Sequence, residues 1–396
     1  MTAPEYPFDP HAPGFARDPW AMYRELRTTC PVAHSSEHGG FWVLARHADV
    51  KDAALHPRRY CSSAGDLLIP AGYGGWLLPV CADPPRTAQY RSLLAHLFNV
   101  VAVREMEPMI RQWASQAIDA FVDRGGGDLV PDLAYPIPGK VTMRLMGWPE
   151  DEWEQVLLPI KDFTTRPPGD PDRDRAAREV ATIRSRIEAN IAQRRARPSD
   201  DLASQLLVSE IESRPLADDE IVALMMMVAF GGVDTTVAAL GNMLLYLDTD
   251  RPLRRRLIAD QALVPSFVEE LLRVEPPIQG FGRFLTEPAL VGGQSIEAGA
   301  KVFLLWGSAN RDEEVFDEPD EVRIDRYPNP HLTFGAGVHH CQGAALARAE
   351  LRITLEETLR RMPDYRIERD RVVPARTAGT VFERLSLPAT FTSRSA

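Results

Sequence analysis

The residues best suited to chemistry lie together in one short segment, residues 334–348, which reads FGAGVHHCQGAALAR. Cys341 is followed closely by a run of strong helix formers, so we expect it at the start of a helix. A helix start offers unpaired N–H groups and the positive end of the helix dipole, which lower the pKa of a cysteine and stabilise its thiolate. Gly335, Gly337 and Gly343 let the backbone turn tightly and approach something large and flat.

Four chemistries for this segment have to be weighed. Zinc would need four nitrogen or sulfur ligands, and neither a second sulfur nor a usefully spaced histidine accompanies His339, His340 and Cys341. A dinucleotide-binding loop would need a third glycine where His340 stands. A cysteine nucleophile with a distant histidine base stays open. A single axial thiolate on haem iron also stays open, and it fits every residue present.

A second signal is the apolar run at 221–247, IVALMMMVAFGGVDTTVAALGNMLLYL. Its length would span a bilayer, but Asp234 lies at its centre and acidic residues flank both ends. We therefore expect a buried core helix with Asp218 as its N-cap, about 45 Å long at about 1.5 Å per residue. Such a helix would cross the whole protein.

The middle of this helix, GGVDTT at 231–236, departs from helix-forming preferences. Gly231 and Gly232 each cost about 1 kcal/mol relative to alanine, and a buried Asp234 needs a partner. One interpretation is a helix bulge capped by a threonine hydroxyl. The other is functional: small residues admit a ligand or water to the backbone, while Asp234 and the adjacent Thr235 relay protons.

Three weaker signals are ambiguous on their own. Glu270 and Arg273 share one face of a predicted helix, and such pairs are common on protein surfaces. Arg91 lies on an amphipathic helix within 83–98, where a solvated charge is expected. The apolar segment 65–80, interrupted by Gly and Pro, is either a self-packed surface loop or the wall or lid of a pocket.

Composition bounds the class of protein. The chain has 396 residues, 44% hydrophobic and 26% charged, which are ordinary values for a globular protein. A net charge of −11 argues against binding to nucleic acid. The four cysteines form no CxxC pair, and the polar opening MTAPEYPFDPHAPGF contains no apolar leader core. We therefore expect a cytoplasmic protein without a membrane anchor.

Taken together, these motifs resemble the cytochrome P450 superfamily in its soluble bacterial form. The family's E-x-x-R pair falls on Glu270 and Arg273, and its central-helix acid and alcohol fall on Asp234 and Thr235. Its A-N-R-D segment matches 309–312. Its cysteine-loop pattern, F-G-x-G-x-H-x-C-x-G followed by L-A-R, is matched at Phe334, Gly335, Gly337, His339, Cys341, Gly343, Leu346, Ala347 and Arg348.

The resemblance covers essentially the whole chain and implies a haem-thiolate monooxygenase. The implied fold is mainly α with a smaller β portion, in which a long central helix lies over a haem held by a cysteine loop. One domain would span residues 1–396, with β-richer parts at 40–60, 283–305 and 365–396.

By resemblance, the cofactor is haem b, with Cys341 as the metal ligand. Asp234 and Thr235 would be catalytic, because they would deliver the protons that oxygen activation requires. Glu270 and Arg273 would form a structural ion pair behind the cysteine loop. The cofactor-binding residues, whose cationic members would pair with the haem propionates, would be Arg91, Arg283, His339, Cys341, Phe334 and Gly335.

The resemblance also places a substrate pocket lined mainly by apolar side chains, which predicts a hydrophobic small-molecule substrate beside dioxygen. Its candidate residues are Leu67, Tyr73, Trp76, Leu77, Val228, Gly231, Ile278, Gln279, Phe281, Val381 and Phe382. The sequence has no flavin, nicotinamide or iron–sulfur motif, so electrons would come from a ferredoxin and its ferredoxin reductase. An acidic ferredoxin would dock on a basic patch formed by Arg104, Arg111, Arg348 and Arg352.

Three positions depart from the family pattern. Thr87 stands where a histidine often contacts a propionate, and Gly231 replaces the alanine that usually opens the central-helix motif. Gln342 follows the cysteine where an apolar residue or proline is usual, so we expect it to add a hydrogen bond near the sulfur.

Overall fold

The computed structural model describes residues 5–64 and 77–392, and helices dominate these residues. The helices are α1 (Pro13–Arg17), α2 (Trp20–Thr29), α3 (His47–Leu55), α4 (Arg86–Phe98), α5 (Val100–Asp119), α6 (Pro136–Met146), α7 (Glu154–Thr164), α8 (Arg173–Ala196), α9 (Leu202–Leu207), α10 (Asp218–Thr249), α11 (Arg251–Ala259), α12 (Val264–Val274), α13 (Trp306–Ala309) and α14 (Ala344–Arg361).

The strands are short and lie mostly in the first and last thirds of the chain. They are β1 (Val32–Ser35), β2 (Phe41–Leu44), β3 (Tyr60–Cys61), β4 (Gly126–Asp128), β5 (Glu210–Ile211), β6 (Arg214–Pro215), β7 (Phe281–Leu285), β8 (Ala289–Val291), β9 (Gln294–Ile296), β10 (Lys301–Leu304), β11 (Arg366–Ile367), β12 (Val373–Pro374), β13 (Arg384–Ser386) and β14 (Pro388–Thr390). The prediction of a mainly α fold with a smaller β portion is confirmed.

The largest sheet among the described residues has the strand order β1-β2-β10-β7-β3. Its β2 and β10 strands are parallel, and the other neighbours are antiparallel. A three-stranded sheet with the order β11-β14-β4 joins the chain's last strand to its first half. The remaining strands of the described residues form three two-stranded pairs, β5–β6, β8–β9 and β12–β13.

The helix α10 runs for 32 residues without interruption, about 48 Å at about 1.5 Å per residue. The glycine pair at its centre therefore causes no bulge, and the bulge interpretation is wrong. The N-cap is Ala217, so Asp218 is the first helical residue instead of the cap. Glu220 accepts a hydrogen bond from the Ala217 N–H over 2.8 Å, which satisfies a donor at the helix start.

The apolar side chains of α10 form the centre of the largest hydrophobic core, which also includes buried residues of α5, α6, α12 and α14. Among the described residues, α10 is long and apolar enough to cross a membrane, but 78% of its most apolar stretch is buried inside the protein. A helix that is apolar on every side is expected at the core of a large domain.

The C-terminal segment is tied to the middle of the fold by main-chain contacts. The Phe382 N–H donates to the main-chain oxygen of Pro277 over 2.7 Å, and Asn242 on α10 donates to the main-chain oxygen of Phe382 over 3.2 Å. The Phe382 ring packs edge-on against Trp20, with 5.4 Å between ring centroids. These contacts fix the residues just before Phe382 against α10 and the segment that follows α12.

Candidate active site

The segment that carries Cys341 is clamped at its start by Asn310. The Asn310 side-chain oxygen accepts from the Leu332 N–H over 2.6 Å, and its nitrogen donates to the Thr333 hydroxyl over 2.8 Å. The Thr333 hydroxyl donates in turn to the main-chain oxygen of Leu272 in α12 over 2.6 Å. Asn310 is fully buried, and these buried and partly buried bonds fix the loop to α12.

Two glycines turn the cysteine loop. Gly335 and Gly337 have φ values of 70° and 66°, a left-handed region that favours glycine. A Cβ on Gly337 would lie 2.8 Å from the main-chain oxygen of Ala54, so the loop also needs glycine for close packing on α3. The turn is closed by the Cys341 N–H, which donates to the main-chain oxygen of Phe334 over 2.7 Å.

Cys341 lies three residues before α14, and its side chain is exposed to the cavity described below. Burial raises the pKa of its thiol, although the Gly343 N–H and the charges of Arg91 and Arg348 act in the lowering direction. The helix start therefore acts on this pKa in the expected, lowering direction, but in the polypeptide by itself desolvation outweighs it. A positive ion at the sulfur would restore the thiolate.

Gln342 and Thr87 bind main-chain oxygens. The Gln342 amide donates to the main-chain oxygen of Arg91 in α4 over 2.8 Å. Its donor group is therefore directed at α4, and the expected hydrogen bond near the sulfur is not the one it makes. The buried Thr87 hydroxyl donates to the main-chain oxygen of Ala82, so its proton is not directed at a cofactor.

Glu270 and Arg273 form an ion pair at 2.7 Å, and their side chains are 1% and 0% exposed. Burial would raise the pKa of Glu270, but hydrogen bonds from Arg273 and its neighbours lower it overall. The surface-pair interpretation is therefore wrong. The pair holds the segment 310–326 against α12, because Arg326 also donates to Glu270 and because Arg273 donates to the main-chain oxygens of Asn310, Pro319 and Glu321.

A cavity opens between the cysteine loop and α10. Most of its lining is apolar and comes from α4, α6, α10, α14 and the segments 277–281 and 380–381. The polar or reactive groups that it brings together include Arg91, Asp234, Thr235, Arg283, His339 and Cys341. A single space therefore joins the cysteine, the cations and the acid–alcohol pair of the central helix.

Arg283 is a buried cation on the wall of this cavity. Its side chain donates to the main-chain oxygen of Gly282 over 2.7 Å, and it has no ion pair with any described carboxylate. Burial lowers its pKa to about 10, partly opposed by the charge of Asp83. A buried guanidinium without a paired anion is costly, so this position calls for an anionic group in the cavity.

Arg91 and His339 lie beside the same space. Arg91 is partly buried, and burial lowers its pKa, whereas a negative charge on Cys341 would raise it. Burial and the charge of Arg283 lower the pKa of His339 to about 4, so its ring is neutral at pH 7. The His339 Nε2 atom lies 3.2 Å from the Ser62 hydroxyl.

The cavity reaches the main chain of α10 at Gly231. Thr235 donates to the main-chain oxygen of Gly231 over 3.2 Å, a long hydrogen bond that leaves the hydroxyl next to the cavity. A Cβ on Gly232 would lie 2.9 Å from the Thr142 hydroxyl, so this glycine permits close packing of α10 on α6. The two glycines thus have different roles: one exposes backbone, and the other brings two helices together.

Asp234 forms an ion pair that sequence reasoning missed. Lys161 on α7 lies 2.7 Å from the Asp234 carboxylate and also contacts the carboxylate of Glu383 in the C-terminal segment. All three side chains are at most 5% exposed. Burial would lower the pKa of Lys161, but the two carboxylates raise it overall. The available sequence signal was a lysine within the apolar stretch VLLPIKDF.

The predicted pocket residues fall into three groups. Leu67, Tyr73 and Trp76 lie outside the described residues. Gln279 and Phe382 do not line the cavity, because the Gln279 amide is tied to Tyr23 and Pro276 and the Phe382 ring packs in a separate core. The residues that do line it are Leu77, Val228, Gly231, Ile278, Phe281 and Val381.

Comparisons with known proteins agree with this architecture. A family model described as Cytochrome P450 matches residues 151–363. Cytochrome P450 130 of Mycobacterium tuberculosis is 34% identical over 397 residues, covering 95% of this chain and 96% of the relative. Steroid C26-monooxygenase of Mycolicibacterium smegmatis is 34% identical over 390 residues, covering 96% and 94%. The structure of Mycobacterium marinum cytochrome P450 CYP268A2 in complex with pseudoionone has a TM-score of 0.90 at 29% identity, covering 99% and 100%.

The chain belongs to the cytochrome P450 family. Its activity is that of a monooxygenase, an oxidoreductase that depends on haem, dioxygen, an organic substrate and electrons from redox partners.

Proposed function

We propose that this monooxygenase hydroxylates or similarly oxidises a hydrophobic small molecule in the cytoplasm, with haem b as cofactor and electrons from a ferredoxin and its reductase. The observation that carries the proposal is the cavity that brings Cys341, two arginines and Asp234 to one largely apolar space. We also propose that residues 1–396 act as a single catalytic domain.

The residues at the floor of the cavity fit haem b. Cys341 would hold the iron through its thiolate, and the positive iron would offset the burial that raises the pKa of the free thiol. Arg283 and Arg91, which have no ion pairs among the described residues, would bind the two propionates. Neutral His339 would add a hydrogen bond. When bound, haem supplies the oxygen-activating chemistry, and the chain supplies ligation, proton delivery and substrate placement.

Proton delivery would be the task of α10. Asp234 is an acid on the cavity wall, and Thr235 holds its hydroxyl there by a long hydrogen bond to Gly231. An acid with an adjacent hydroxyl passes protons through short hydrogen-bonded steps while the surrounding apolar wall excludes bulk water. Asp234 would therefore take up the proton, and Thr235 would hand it to the reacting oxygen.

The cavity wall supports a hydrophobic, uncharged substrate. Leu77, Val228, Ile278, Phe281 and Val381 supply apolar surface above the cysteine loop. One relative is named for steroid C26 oxidation, and one neighbouring structure was solved with pseudoionone; both compounds are largely hydrocarbon. These names support the same chemical class for this chain.

The first test is the absorbance spectrum of the reduced, carbon-monoxide-bound protein. Thiolate ligation shifts the Soret band strongly to the red, and Cys341→His should lose that shift while keeping bound haem. A Soret band without the shift in the natural protein would overturn the proposal. A panel of steroids, terpenoids and charged analogues of similar size, read by spin-state change, then tests the hydrophobic substrate class.

The second test concerns the acid and the alcohol. Thr235→Ala and Asp234→Asn should divert electrons from product to hydrogen peroxide, because each removes a step of proton delivery; a general acid is worth roughly 10²-fold or more in rate. Thr249→Ala, at the exposed end of the same helix, is the matched control. Unchanged product per electron in both variants would show that α10 does not deliver protons.

The proposed ferredoxin surface carries less free positive charge than the sequence suggested. Three of its four arginines have carboxylate partners: Arg111 pairs with Glu356 and Glu357, Arg348 with Glu269, and Arg352 with Glu107 and Glu356. Arg104 is exposed and has no ion pair with a described residue. We therefore centre the docking proposal on Arg104.

Arg104→Ala should slow reduction by an acidic ferredoxin at low salt, and the difference should shrink as salt rises. The control is Arg178→Ala, which removes an exposed arginine from α8. Equal reduction rates for both variants at every salt concentration would exclude this docking surface.

A further inference from the structure

The cluster of Lys161, Asp234 and Glu383 joins three separate parts of the fold at the side of the cavity. Lys161 comes from α7, Asp234 from α10, and Glu383 from the C-terminal segment. The Lys161 ammonium contacts one oxygen of each carboxylate. The exposed fractions of these three side chains are 5%, 3% and 0%, so bulk water does not screen their charges.

Charge in this cluster does not balance. One ammonium and two carboxylates sum to −1, and an uncompensated buried charge is costly. Tyr135 faces Lys161 with its ring centroid 5.8 Å from the ammonium, but burial raises its pKa to about 12, so it adds no charge. Arg384 also faces Glu383, but its charge is shared with Glu275.

The unpaired oxygens show where a proton would sit. The Glu383 Oε1 and Asp234 Oδ2 atoms are buried and have no hydrogen-bond partner among the described residues. A carboxyl O–H adds a donor to such a site and removes the excess charge. Two buried carboxylates that share a single cation therefore favour one bound proton between them.

We propose that Glu383 is a positioning residue for proton delivery, which keeps one exchangeable proton in the Lys161 cluster and so supplies Asp234 during turnover. Only Asp234 of the pair lines the cavity, so a proton held by Glu383 enters the reaction by way of Asp234. Burial raises the pKa of Glu383 to about 7, with the Lys161 charge opposing and the Asp234 charge reinforcing that shift. The cluster therefore binds this proton below neutral pH and loses it above.

Glu383→Gln tests this inference because it removes one charge with little change of shape. It leaves Lys161 with Asp234 as its one remaining carboxylate partner in the cluster. In the natural protein, product formed per electron should fall several-fold from about pH 6 to about pH 8. In Glu383→Gln, product formed per electron should be low and constant over that range. Glu383→Asp should restore part of the pH dependence. The control Glu154→Gln, on the exposed start of α7, should behave like the natural protein.

Infrared difference spectroscopy of the haem-loaded protein between the same pH values gives a readout that does not depend on turnover. A carboxylic acid C=O band should disappear as the pH rises, and Glu383→Gln should lack it. Thermal unfolding and the substrate-induced spin shift confirm that each variant is folded. A natural pH profile in Glu383→Gln, or a titrating band that persists in this variant, would overturn the inference.

This inference rests on the proposed role of Asp234, and the two fail in different ways. If Asp234→Asn leaves product per electron unchanged, proton delivery through Asp234 is wrong, whatever Glu383→Gln does. If Asp234→Asn diverts electrons to hydrogen peroxide and Glu383→Gln keeps the natural pH profile, only the proton-holding role of Glu383 is wrong.

Discussion

The Gln342 side chain donates a hydrogen bond to the main-chain oxygen of Arg91 over 2.8 Å. This contact joins the residue that follows the cysteine to the helix whose arginine faces the same cavity. The Gln342 amide therefore fixes the position of the cysteine loop relative to Arg91, so it sets the spacing of the two residues that we propose to bind haem, Cys341 and Arg91. The bond is partly shielded from solvent, so it is worth more than a similar contact on the surface.

Gln342→Leu should lower the free energy of unfolding of the haem-loaded protein by about 1 kcal/mol, because one partly buried hydrogen bond is lost. Thermal unfolding measures the change. Gln193→Leu, on the exposed face of α8, should have little effect. Equal shifts for the two variants would mean that the contact with Arg91 does not stabilise the loop.

Arg283→Met should have opposite effects on the two forms of the protein. Without haem, the variant should be more stable in urea, because it removes a buried cation that has no described ion-pair partner. With haem, it should lose about 1.5–3 kcal/mol of binding, because a charged hydrogen bond to a propionate is lost.

Urea unfolding of both forms and the rate of haem transfer to a scavenger protein measure these changes. Arg58→Met, an exposed arginine near β3, is the control. A change of the same sign in both forms would show that Arg283 does not face a carboxylate of the cofactor.

Glu270→Ala should destabilise the protein by about 3–5 kcal/mol, because it leaves the guanidinium of Arg273 buried without its anion. The exposed pair Arg175–Glu179 offers a direct comparison, since Glu179→Ala removes a solvent-exposed helix ion pair, whose loss should cost far less stability. Urea unfolding at one pH measures the loss of stability in each variant. If the two losses were alike, the pair behind the cysteine loop would be no more than a surface contact.

Glu269 should make the protein sensitive to acid. Burial raises the pKa of this carboxyl, but hydrogen bonds from Arg348 and His331 lower it overall from 4.5 to about 2. Because the folded-state pKa is depressed, the stabilisation is fully present above pH 4.5 and is lost as the pH falls toward 2. Glu269→Gln should therefore be less stable at neutral pH and should lose less stability on acidification.

Chemical denaturation at a series of pH values measures the slope of the free energy of unfolding against pH. Glu297→Gln, an exposed glutamate just after β9, should keep the natural slope. A natural slope in Glu269→Gln would show that its ion pair with Arg348 contributes nothing to acid stability.

Features that depend on neighbouring residues were predictable from the sequence. The tight turn of the cysteine loop follows from the glycines within it, and Glu270 and Arg273 lie three residues apart on one helix. The spacing of residues within each segment was therefore enough to predict both features. The apolar run around Asp234 likewise predicted a long buried core helix, because its pattern is set within a single segment, although it left open whether the glycine pair would cause a bulge.

Features that depend on distant partners were not predictable. Glu383 meets Lys161 across 222 residues, and no local pattern links an irregular C-terminal segment to α7. The same limit explains the arginines of the proposed docking surface, because the carboxylates that neutralise Arg348 and Arg352 come from α12 and α5 as well as α14. The assignment of Gln279 and Phe382 to the pocket was wrong. The direction of a side chain in an irregular segment depends on tertiary packing, which residue spacing does not reveal.

The contacts of the C-terminal segment have a consequence for biosynthesis. Thr380 and Val381 complete the cavity wall, and Phe382 and β14 attach this segment to Asn242, Pro277 and β4. A nascent chain therefore contains Cys341 and the whole of α10 well before it contains a closed cavity. The cavity wall is therefore incomplete until residues 380–390 have been synthesised and have packed against α10 and β4.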